Sequence, residues 1–284
     1  MLIDGAIDRL ADFLTIHRRV LVLTGAGCST ESGIPDYRDT NGDWKHPQPV
    51  MYQQFVANEA VRRRYWARSV VGWGRIVHAT PNRAHAALAS LEAAGFIDGV
   101  ITQNVDGLHG RAGSRRIIDL HGRLDTVQCL GCGALTSRED FQARLVARNG
   151  HLAGATMEGA APDGDAKLSN IDYGSVDVPA CPDCGGILKP HVVFFGEGVP
   201  PARLAVAFDW LDAADALLVV GSSLMVFSGY RFVQAAARAS KPVAVVNLGR
   251  TRADDLISVK LAAPCGDVLA SVHDRLRIRD PHAP

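Results

Sequence analysis

The chain has 284 residues, of which 47% are hydrophobic and 21% charged, a composition typical of a folded globular protein and not of a disordered one. Thirty basic residues balance thirty acidic ones, so no global field would attract nucleic acid or an anionic membrane, and we expect neither as a direct partner. No run approaches the ~20 apolar residues needed to span a bilayer, and we expect a cytoplasmic protein.

Short aliphatic runs along the chain predict buried strands. They lie at residues 19–23, 99–102, 216–220 and 242–246. Helical patterns separate them, such as those at 84–94 and 230–239, so strands and helices alternate as in a parallel sheet covered on both faces. We therefore predict an α/β fold built on a doubly wound, Rossmann-like parallel sheet.

The first predicted strand runs into a glycine-rich loop at 25–27, Gly-Ala-Gly, whose backbone could approach a diphosphate closely. Ser29 and Thr30 add hydroxyl groups where a helix could begin. A standard dinucleotide fingerprint would place glycine at position 30 and an acidic residue ~20 residues further on. Position 30 is threonine and the stretch 44–49 contains no acidic residue, which disfavours a hydride-transfer dehydrogenase.

Four of the six cysteines form two Cys-x-x-Cys-Gly turns, Cys129 with Cys132 and Cys181 with Cys184. Four thiolates complete a tetrahedral zinc shell and leave no position for water or substrate, so we predict one structural Zn²⁺. The alternative is a pair of unrelated redox sites. Neither pair follows a thioredoxin-like strand, which favours zinc.

The segment between the cysteine pairs, 149–180, is rich in Gly, Ala, Asp and Ser and has little periodicity, which predicts a loop. The simplest architecture inserts a small zinc-binding module at 126–190 into a larger Rossmann-like domain formed by 1–125 and 191–284.

Several segments, in their order along the chain, resemble the sirtuin family. Residues 25–38 resemble the family's cofactor loop, 102–109 its nicotinamide-site motif and 120–122, Leu-His-Gly, its catalytic segment. Three further stretches are similar to the remaining cofactor contacts, namely 221–224, 246–247 and 265–267.

The resemblance implies an NAD-dependent protein-lysine deacylase that transfers the acyl group of acylated-lysine proteins to ADP-ribose and releases nicotinamide. The residues it assigns to NAD binding are Gly25, Ala26, Gly27, Ser29, Thr30, Asp36, Tyr37, Arg38, Gln103, Asn104, Val105, Asp106, Gly221, Ser222, Ser223, Asn247, Leu248, Gly249 and Cys265.

Catalysis is assigned by the same resemblance to His121 and Asn104. An imidazole titrates near neutrality, which suits a base for a ribose hydroxyl. Without the family, a lone histidine beside glycine is more often structural. Likewise Gln103, Asn104 and Asp106 would otherwise form a polar turn at a strand end.

Residues Val193 and Phe194 lie in a segment, 189–197, that resembles the family's substrate-binding segment. As a plain core strand, 192–195 would only bury side chains. The resemblance implies that an adjacent edge pairs with the extended substrate peptide by strand addition.

Tyr65 and Arg68 are three residues apart, so both can lie on one helical face. The same spacing in class III sirtuins binds the carboxylate of malonyl- and succinyl-lysine. The alternative is a solvated basic helix face, since 62–64 are also arginines. We hypothesise a pocket for acyl groups larger than acetyl, with some preference for those ending in a carboxylate.

Finer similarities, at 35–38, 112–116 and 227–232, are to class II sirtuins, the branch of the mitochondrial lipoamidase and ADP-ribosyltransferase. Two other functions stay open: protein mono-ADP-ribosyl transfer, and a non-catalytic NAD or ADP-ribose binding module. Cys28 replaces an aliphatic residue common in the motif. It is either a packed small hydrophobe or, near a helix start, a thiol of lowered pKa that senses oxidants.

Overall fold

The computed structural model describes residues 2–45, 49–160 and 162–279. The stretch 44–49, which lacks an acidic residue, therefore lies partly outside the described residues, at 46–48. The strands are β1 (Val20–Thr24), β2 (Ile97–Thr102), β3 (Ile117–Asp119), β4 (Gly122–Cys129), β5 (Leu135–Ser137), β6 (Thr156–Ala160), β7 (Ala166–Ser169), β8 (Leu188–Val192), β9 (Ala216–Val220), β10 (Val243–Val246) and β11 (Val259–Leu261).

The α-helices are α1 (Leu2–Ile16), α2 (Tyr52–Ala57), α3 (Glu59–His78), α4 (Arg83–Ala93), α5 (Leu108–Arg111), α6 (Arg138–Arg148), α7 (Pro201–Ala213), α8 (Phe227–Arg238) and α9 (Cys265–Arg279). Within the described parts of the chain, none of them is long and apolar enough to cross a membrane.

The main sheet has six parallel strands in the order β3-β2-β1-β9-β10-β11. One face packs against α1, α4 and α9 and the other against α7 and α8. Since both faces are covered, β1, β9 and β10 bury every side chain, which explains their unbroken aliphatic sequences. The α/β prediction and the four predicted strands are confirmed.

Strand order reverses between β1 and β9, since the chain leaves β1 toward one edge of the sheet and β9 toward the other. The loops that follow these two strands diverge and open a crevice at their carboxyl ends, where ligands of doubly wound folds bind. The sheet therefore places the glycine-rich loop at 25–27 and the segment at 221–224 next to each other at this crevice.

A smaller antiparallel sheet, in the order β5-β4-β8, leads away from this crevice. β4 begins directly after His121 and ends at Cys129. Its core includes residues of α2, α3 and α6, and the indole nitrogen of Trp66 donates to the carbonyl of Leu188 at 3.2 Å. The boundaries predicted at 126 and 190 fall inside β4 and β8 and stay a prediction.

The prediction of a loop throughout 149–180 is wrong, because β6 and β7 pair as an antiparallel hairpin within it. The hairpin packs on α3, where a Cβ at Gly72 would lie only 1.9 Å from the carbonyl oxygen of Gly164. The sequence of the hairpin lacks the apolar–polar alternation of a half-buried strand. Its strands are held in place by contacts with α3, which no local pattern reveals.

Candidate active site

A cavity of about 530 Å³ occupies the crevice where the strand order reverses. Every residue predicted to bind NAD lines it, and so do His121, Tyr65, Val193 and Phe194. Arg68 is absent from its lining. Residues that are up to 240 positions apart in sequence therefore share one chamber of the size typical of small-molecule sites.

The glycine-rich loop closes tightly on the loop after β9. The backbone N–H of Gly27 donates to the carbonyl of Gly221 at 2.8 Å. A Cβ at Gly25 would lie 2.7 Å from Cβ of Ser222, and one at Gly27 would lie 2.9 Å from the Gly221 oxygen. Side chains are excluded at both positions, which leaves bare backbone lining the cavity.

A polar network lies between the glycine-rich loop and the residues after β2. The Ser29 hydroxyl donates to a carboxylate oxygen of Asp106 at 2.7 Å, and the Asn104 amide donates to Ser29 Oγ at 3.0 Å. The same amide donates to the carbonyl of Gly25 at 3.1 Å. These bonds fix the amide and the carboxylate that the sequence predicted for nicotinamide binding.

His121 follows β3 and lies beside this network. Its Nδ1 is 2.8 Å from the carbonyl oxygen of Gln103, and its Nε2 is 2.8 Å from the hydroxyl of Ser228. A carbonyl can only accept, so the proton lies on Nδ1 and Nε2 accepts from Ser228. Burial lowers the pKa of His121 to about 4, although the Gln103 carbonyl opposes the shift. The ring is therefore neutral at pH 7, with its basic lone pair on Nε2.

Ser228, at the start of α8, is a site residue that the sequence reasoning missed. Its segment, 227–232, carried a resemblance to class II sirtuins, but no role was assigned to the hydroxyl. The start of α8 also lies against Gln103, since a Cβ at Gly229 would be 2.4 Å from Oε1 of that side chain. The packing of α8 therefore positions both partners of the imidazole.

An aromatic cluster forms one wall of the cavity. The rings of Tyr37, Trp44 and Phe195 meet edge to face at centroid distances of 5.6–6.0 Å. The guanidinium carbon of Arg38 lies 4.0 Å from the Trp44 ring centroid, a cation–π contact. Arg38 also donates to the Gly42 carbonyl, so the loop after the glycine-rich segment is rigidly packed.

Strand β8 ends at Val192, and the two predicted substrate residues follow it. The N–H of Val193 donates to the carbonyl of His121 at 2.7 Å. Phe194 is buried, and its ring packs on Phe55 and Tyr65 at centroid distances of 5.2 and 5.3 Å. This segment is thus attached to His121 on one side and to the smaller core on the other.

Tyr65 and Arg68 do not converge on one ligand position. Tyr65 is 2% exposed, and its hydroxyl has no hydrogen-bond partner among the described residues. Arg68 Nε instead lies 2.8 Å from a carboxylate oxygen of Asp165 and donates to the Ala166 carbonyl at 2.6 Å. The alternative of a solvated basic face also fails here, because Arg68 is largely buried against the hairpin.

The turn between β6 and β7 carries two carboxyl groups, one of which lines this end of the cavity. Asp163 lines it, and burial raises the pKa of its carboxyl group. Burial, reinforced by repulsion from Asp163, raises the pKa of Asp165 to about 7, against the opposing effect of Arg68. Asp163 thus places an acidic group in the lining of the cavity, whereas Asp165, like its partner Arg68, is absent from the lining.

The four predicted zinc ligands form a separate cluster at the far end of β4. Sγ of Cys129 is 3.5 Å from Sγ of Cys184, and Sγ of Cys132 is 3.7 Å from Sγ of Cys181. A tetrahedral zinc with bonds of about 2.3 Å requires sulfur separations of about 3.8 Å, so the residues present fit this ion. A Cβ at Gly186 would lie 2.9 Å from Sγ of Cys129, which explains the glycine there.

Cys28 lies in a 3₁₀ turn directly after the glycine-rich loop and is 1% exposed. Burial raises the pKa of its thiol well above the usual range. This contradicts the alternative of a reactive thiol with a lowered pKa and agrees with the packed one. Burial also raises the pKa of Cys265, to about 12, although that residue lines the cavity.

Comparison with known proteins agrees with the motifs. The model of the Sir2 family matches residues 25–228. A Bradyrhizobium diazoefficiens protein named NAD-dependent protein deacetylase 2 is 59% identical over 261 residues, 92% of this chain and 95% of its own. A Streptomyces coelicolor protein named NAD-dependent protein deacetylase 1 is 50% identical and is matched over 92% and 87% of the two chains.

Solved structures agree as well. A structure described as Sir2 with p53 peptide and NAD⁺ superposes with a TM-score of 0.75 at 30% identity, over 97% of this chain and 98% of the other. A Sir2 bound to acetylated peptide gives the same TM-score at 30% identity, over 95% and 98% of the two chains. With a family model that spans most of its length and relatives at this identity, the chain belongs to the Sir2 family, the sirtuins.

Proposed function

We propose that this protein is an NAD-dependent protein-lysine deacylase, a deacetylase like its named relatives. The observation that carries the proposal is the state of His121. A neutral imidazole, with its tautomer set by a carbonyl on one nitrogen, has its basic nitrogen in a cavity lined by a glycine-rich loop. A module that only binds NAD or ADP-ribose would need no such base.

The residues present fit NAD. Bare backbone at Gly25 and Gly27 allows a diphosphate to approach, as at other helix-proximal glycine loops. Asn104 and Asp106, held by Ser29, offer an amide and a carboxylate to the carboxamide of nicotinamide. When bound, NAD supplies an electrophilic ribose carbon and nicotinamide as leaving group.

His121 acts as the general base toward a ribose hydroxyl. Nε2 accepts the proton, and the Nδ1–H bond to the Gln103 carbonyl keeps the ring oriented and stabilises the cation that forms. In the free protein Ser228 occupies Nε2, so a substrate hydroxyl takes the place of the Ser228 hydroxyl on that nitrogen. Asn104, held by Ser29 and the Gly25 carbonyl, orients the reacting groups.

The peptide backbone pairs with the segment at Val193 and Phe194. This segment is fixed to His121 through the Val193 N–H bond, so a peptide aligned on it presents its lysine to the catalytic histidine. Recognition through backbone bonds gives affinity with little choice of flanking sequence.

At the acyl end we propose a preference for neutral acyl groups, in place of the carboxylate preference hypothesised from the sequence. A carboxylate-terminated acyl group would have to displace Asp165 from Arg68 and lie near Asp163. Like charges in a buried site disfavour this arrangement. Tyr65 lines this end and offers an unpaired hydroxyl to a neutral acyl chain.

One structural zinc at Cys129, Cys132, Cys181 and Cys184 stabilises the small module proposed at 126–190. Its four thiolates leave no open coordination position for catalysis. We propose a cytoplasmic location, where cysteines are usually reduced, and all six cysteines are free of disulfides. The proposed place near class II sirtuins rests on the segments 35–38, 112–116 and 227–232.

The test is to incubate the protein with NAD and a library of acylated peptides and to identify the products by mass spectrometry. The proposal expects deacylated peptide, nicotinamide and O-acyl-ADP-ribose in equal amounts. ADP-ribosylated peptide without deacylation would instead support the transferase alternative. Binding of NAD without any product would support the binding-module alternative.

A further inference from the structure

Three side chains that the proposed reaction does not use converge beneath the polar network of the cavity. They are Cys28, His85 and His109, which are 1%, 0% and 2% exposed. One ligand atom from each lies within 4.8 Å of the other two. They come from three separate elements, the turn after β1, the first turn of α4 and the short helix α5.

The His109 ring has one nitrogen satisfied and one free. Its Nε2 is 2.9 Å from the hydroxyl oxygen of Thr24, which itself donates to Thr102 at 2.8 Å. Thr24 has a single proton and therefore accepts from Nε2–H. The other nitrogen, Nδ1, then carries a lone pair. It is buried and has no hydrogen-bond partner in the described parts of the chain.

His85 can offer a lone pair after a change of tautomer. In the free protein its Nδ1 accepts from the backbone N–H of Asn82 at 3.3 Å, so the proton lies on Nε2, 3.5 Å from Ser29 Oγ. The side-chain oxygen of Asn82 is 3.0 Å from Nδ1 and can accept from Nδ1–H in the other tautomer, which leaves Nε2 unprotonated for a metal. Histidines that bind metals typically donate their other ring N–H to such an oxygen, which fixes the ring.

Charge around the cluster also suits a cation. The Asp106 carboxylate accepts from the Ser29 hydroxyl, and the oxygen of that hydroxyl lies 3.5 Å from His85 Nε2. A divalent ion bound to one thiolate would carry one net positive charge, which this carboxylate offsets.

We propose that Cys28, His85 and His109 form a second metal site, for a borderline-soft transition ion such as Zn²⁺. A thiolate and two imidazoles are ligands that this class of ion prefers. On binding, the Cys28 S–H bond breaks, a sulfur–metal bond forms and the proton leaves to solvent. Ser29, whose hydroxyl oxygen lies 3.5 Å from His85 Nε2, links the site to the cavity.

Occupancy of this site inhibits the reaction, a consequence that rests on the proposed function. Ser29 bonds to Asp106 and Asn104, which the nicotinamide ring requires. A positive centre below them disturbs these bonds and repels the cationic ring of NAD⁺.

The experiment titrates the zinc-loaded protein with Zn²⁺ and counts bound metal by mass spectrometry after gel filtration. Wild type should bind a second equivalent, and Cys28→Ala only the first. Cys265→Ala, which removes the other buried thiol outside the four-cysteine cluster, is the matched control and should still bind two. If Cys28→Ala does not fold, Cys28→Val keeps nearly the same volume and serves instead.

A second readout uses Co²⁺, because a thiolate–cobalt bond gives a charge-transfer absorption. The band from the second equivalent should vanish in Cys28→Ala. The Zn²⁺ concentration that halves deacylation should rise about tenfold or more in this variant. One equivalent in wild type, or two in Cys28→Ala, would overturn the site. Two equivalents with unchanged turnover would overturn only the inhibition, and absence of any deacylation would count against the proposed function alone.

Discussion

The carboxyl edge of the main sheet and the four-cysteine cluster lie at opposite ends of β4. They differ in whether their polar groups remain available to a ligand. At the sheet edge, glycines exclude side chains and polar groups remain available to a ligand. At the cysteine cluster, every ligand group is directed at one ion and none remains for chemistry. The cysteine cluster therefore contributes to folding and the sheet edge to turnover. Substitutions at the two ends of β4 should affect these two properties separately.

The largest effect is expected from Cys129→Ser. A structural zinc site contributes about 10–16 kcal/mol of binding free energy that is coupled to folding, so the loss of one ligand should abolish most folded protein. The measurement is the yield of monodisperse protein and its zinc content. Metal-free protein that is fully folded and active would contradict the structural role.

His121→Ala should lower deacylation by about 10² or more while the fold persists. The reason is the loss of the imidazole whose Nε2 is proposed to accept the proton of the ribose hydroxyl. Turnover is measured with an acetyl-lysine peptide. Circular dichroism and NAD binding are the controls and should change little. Near-normal turnover would remove His121 from the mechanism.

His121→Ala also tests whether the folded protein lowers the pKa of His121. The folded protein holds His121 at a pKa of about 4, below its ordinary 6.5, so between these values the unfolded state binds more protons. Stability from this group is present above pH 6.5 and is lost as the pH falls toward 4. Wild type should lose about 1–2 kcal/mol more unfolding free energy than His121→Ala between pH 7 and pH 5.

Urea unfolding at both pH values measures this difference. An equal loss in wild type and variant would show that the ring is not held neutral by burial. The comparison of the two proteins cancels the contribution of His109, whose pKa burial also lowers.

The smallest effect concerns acyl choice. Asp165→Asn should release Arg68 and raise the kcat/KM ratio of succinyl- to acetyl-lysine peptide about tenfold, roughly 1.4 kcal/mol. Adding Arg68→Ala should remove the gain. Asp163→Asn, which leaves the Arg68–Asp165 pair intact, is the matched control and should gain less. A wild type that already prefers succinyl-lysine would contradict the proposed preference for neutral acyl groups.

Much of the fold could be predicted because its determinants are local. Four aliphatic runs became central strands, and the helical pattern at 84–94 became α4, which Asn82 caps. The short strands β3 and β11 escaped prediction, because three residues carry too little pattern to recognise. The hairpin of β6 and β7 escaped because its order comes from α3.

By itself the sequence determined the glycine-rich loop, the polar residues after β2 and the cysteine spacing, since each is a contiguous pattern with its own chemistry. Only the tertiary structure decided the tautomer of His121, through a serine 107 positions away, and the pairing of Arg68 with Asp165. It also brought Cys28, His85 and His109 together. The physical reason is that pKa, tautomer and charge pairing depend on burial and on neighbours from distant segments, which no local pattern contains.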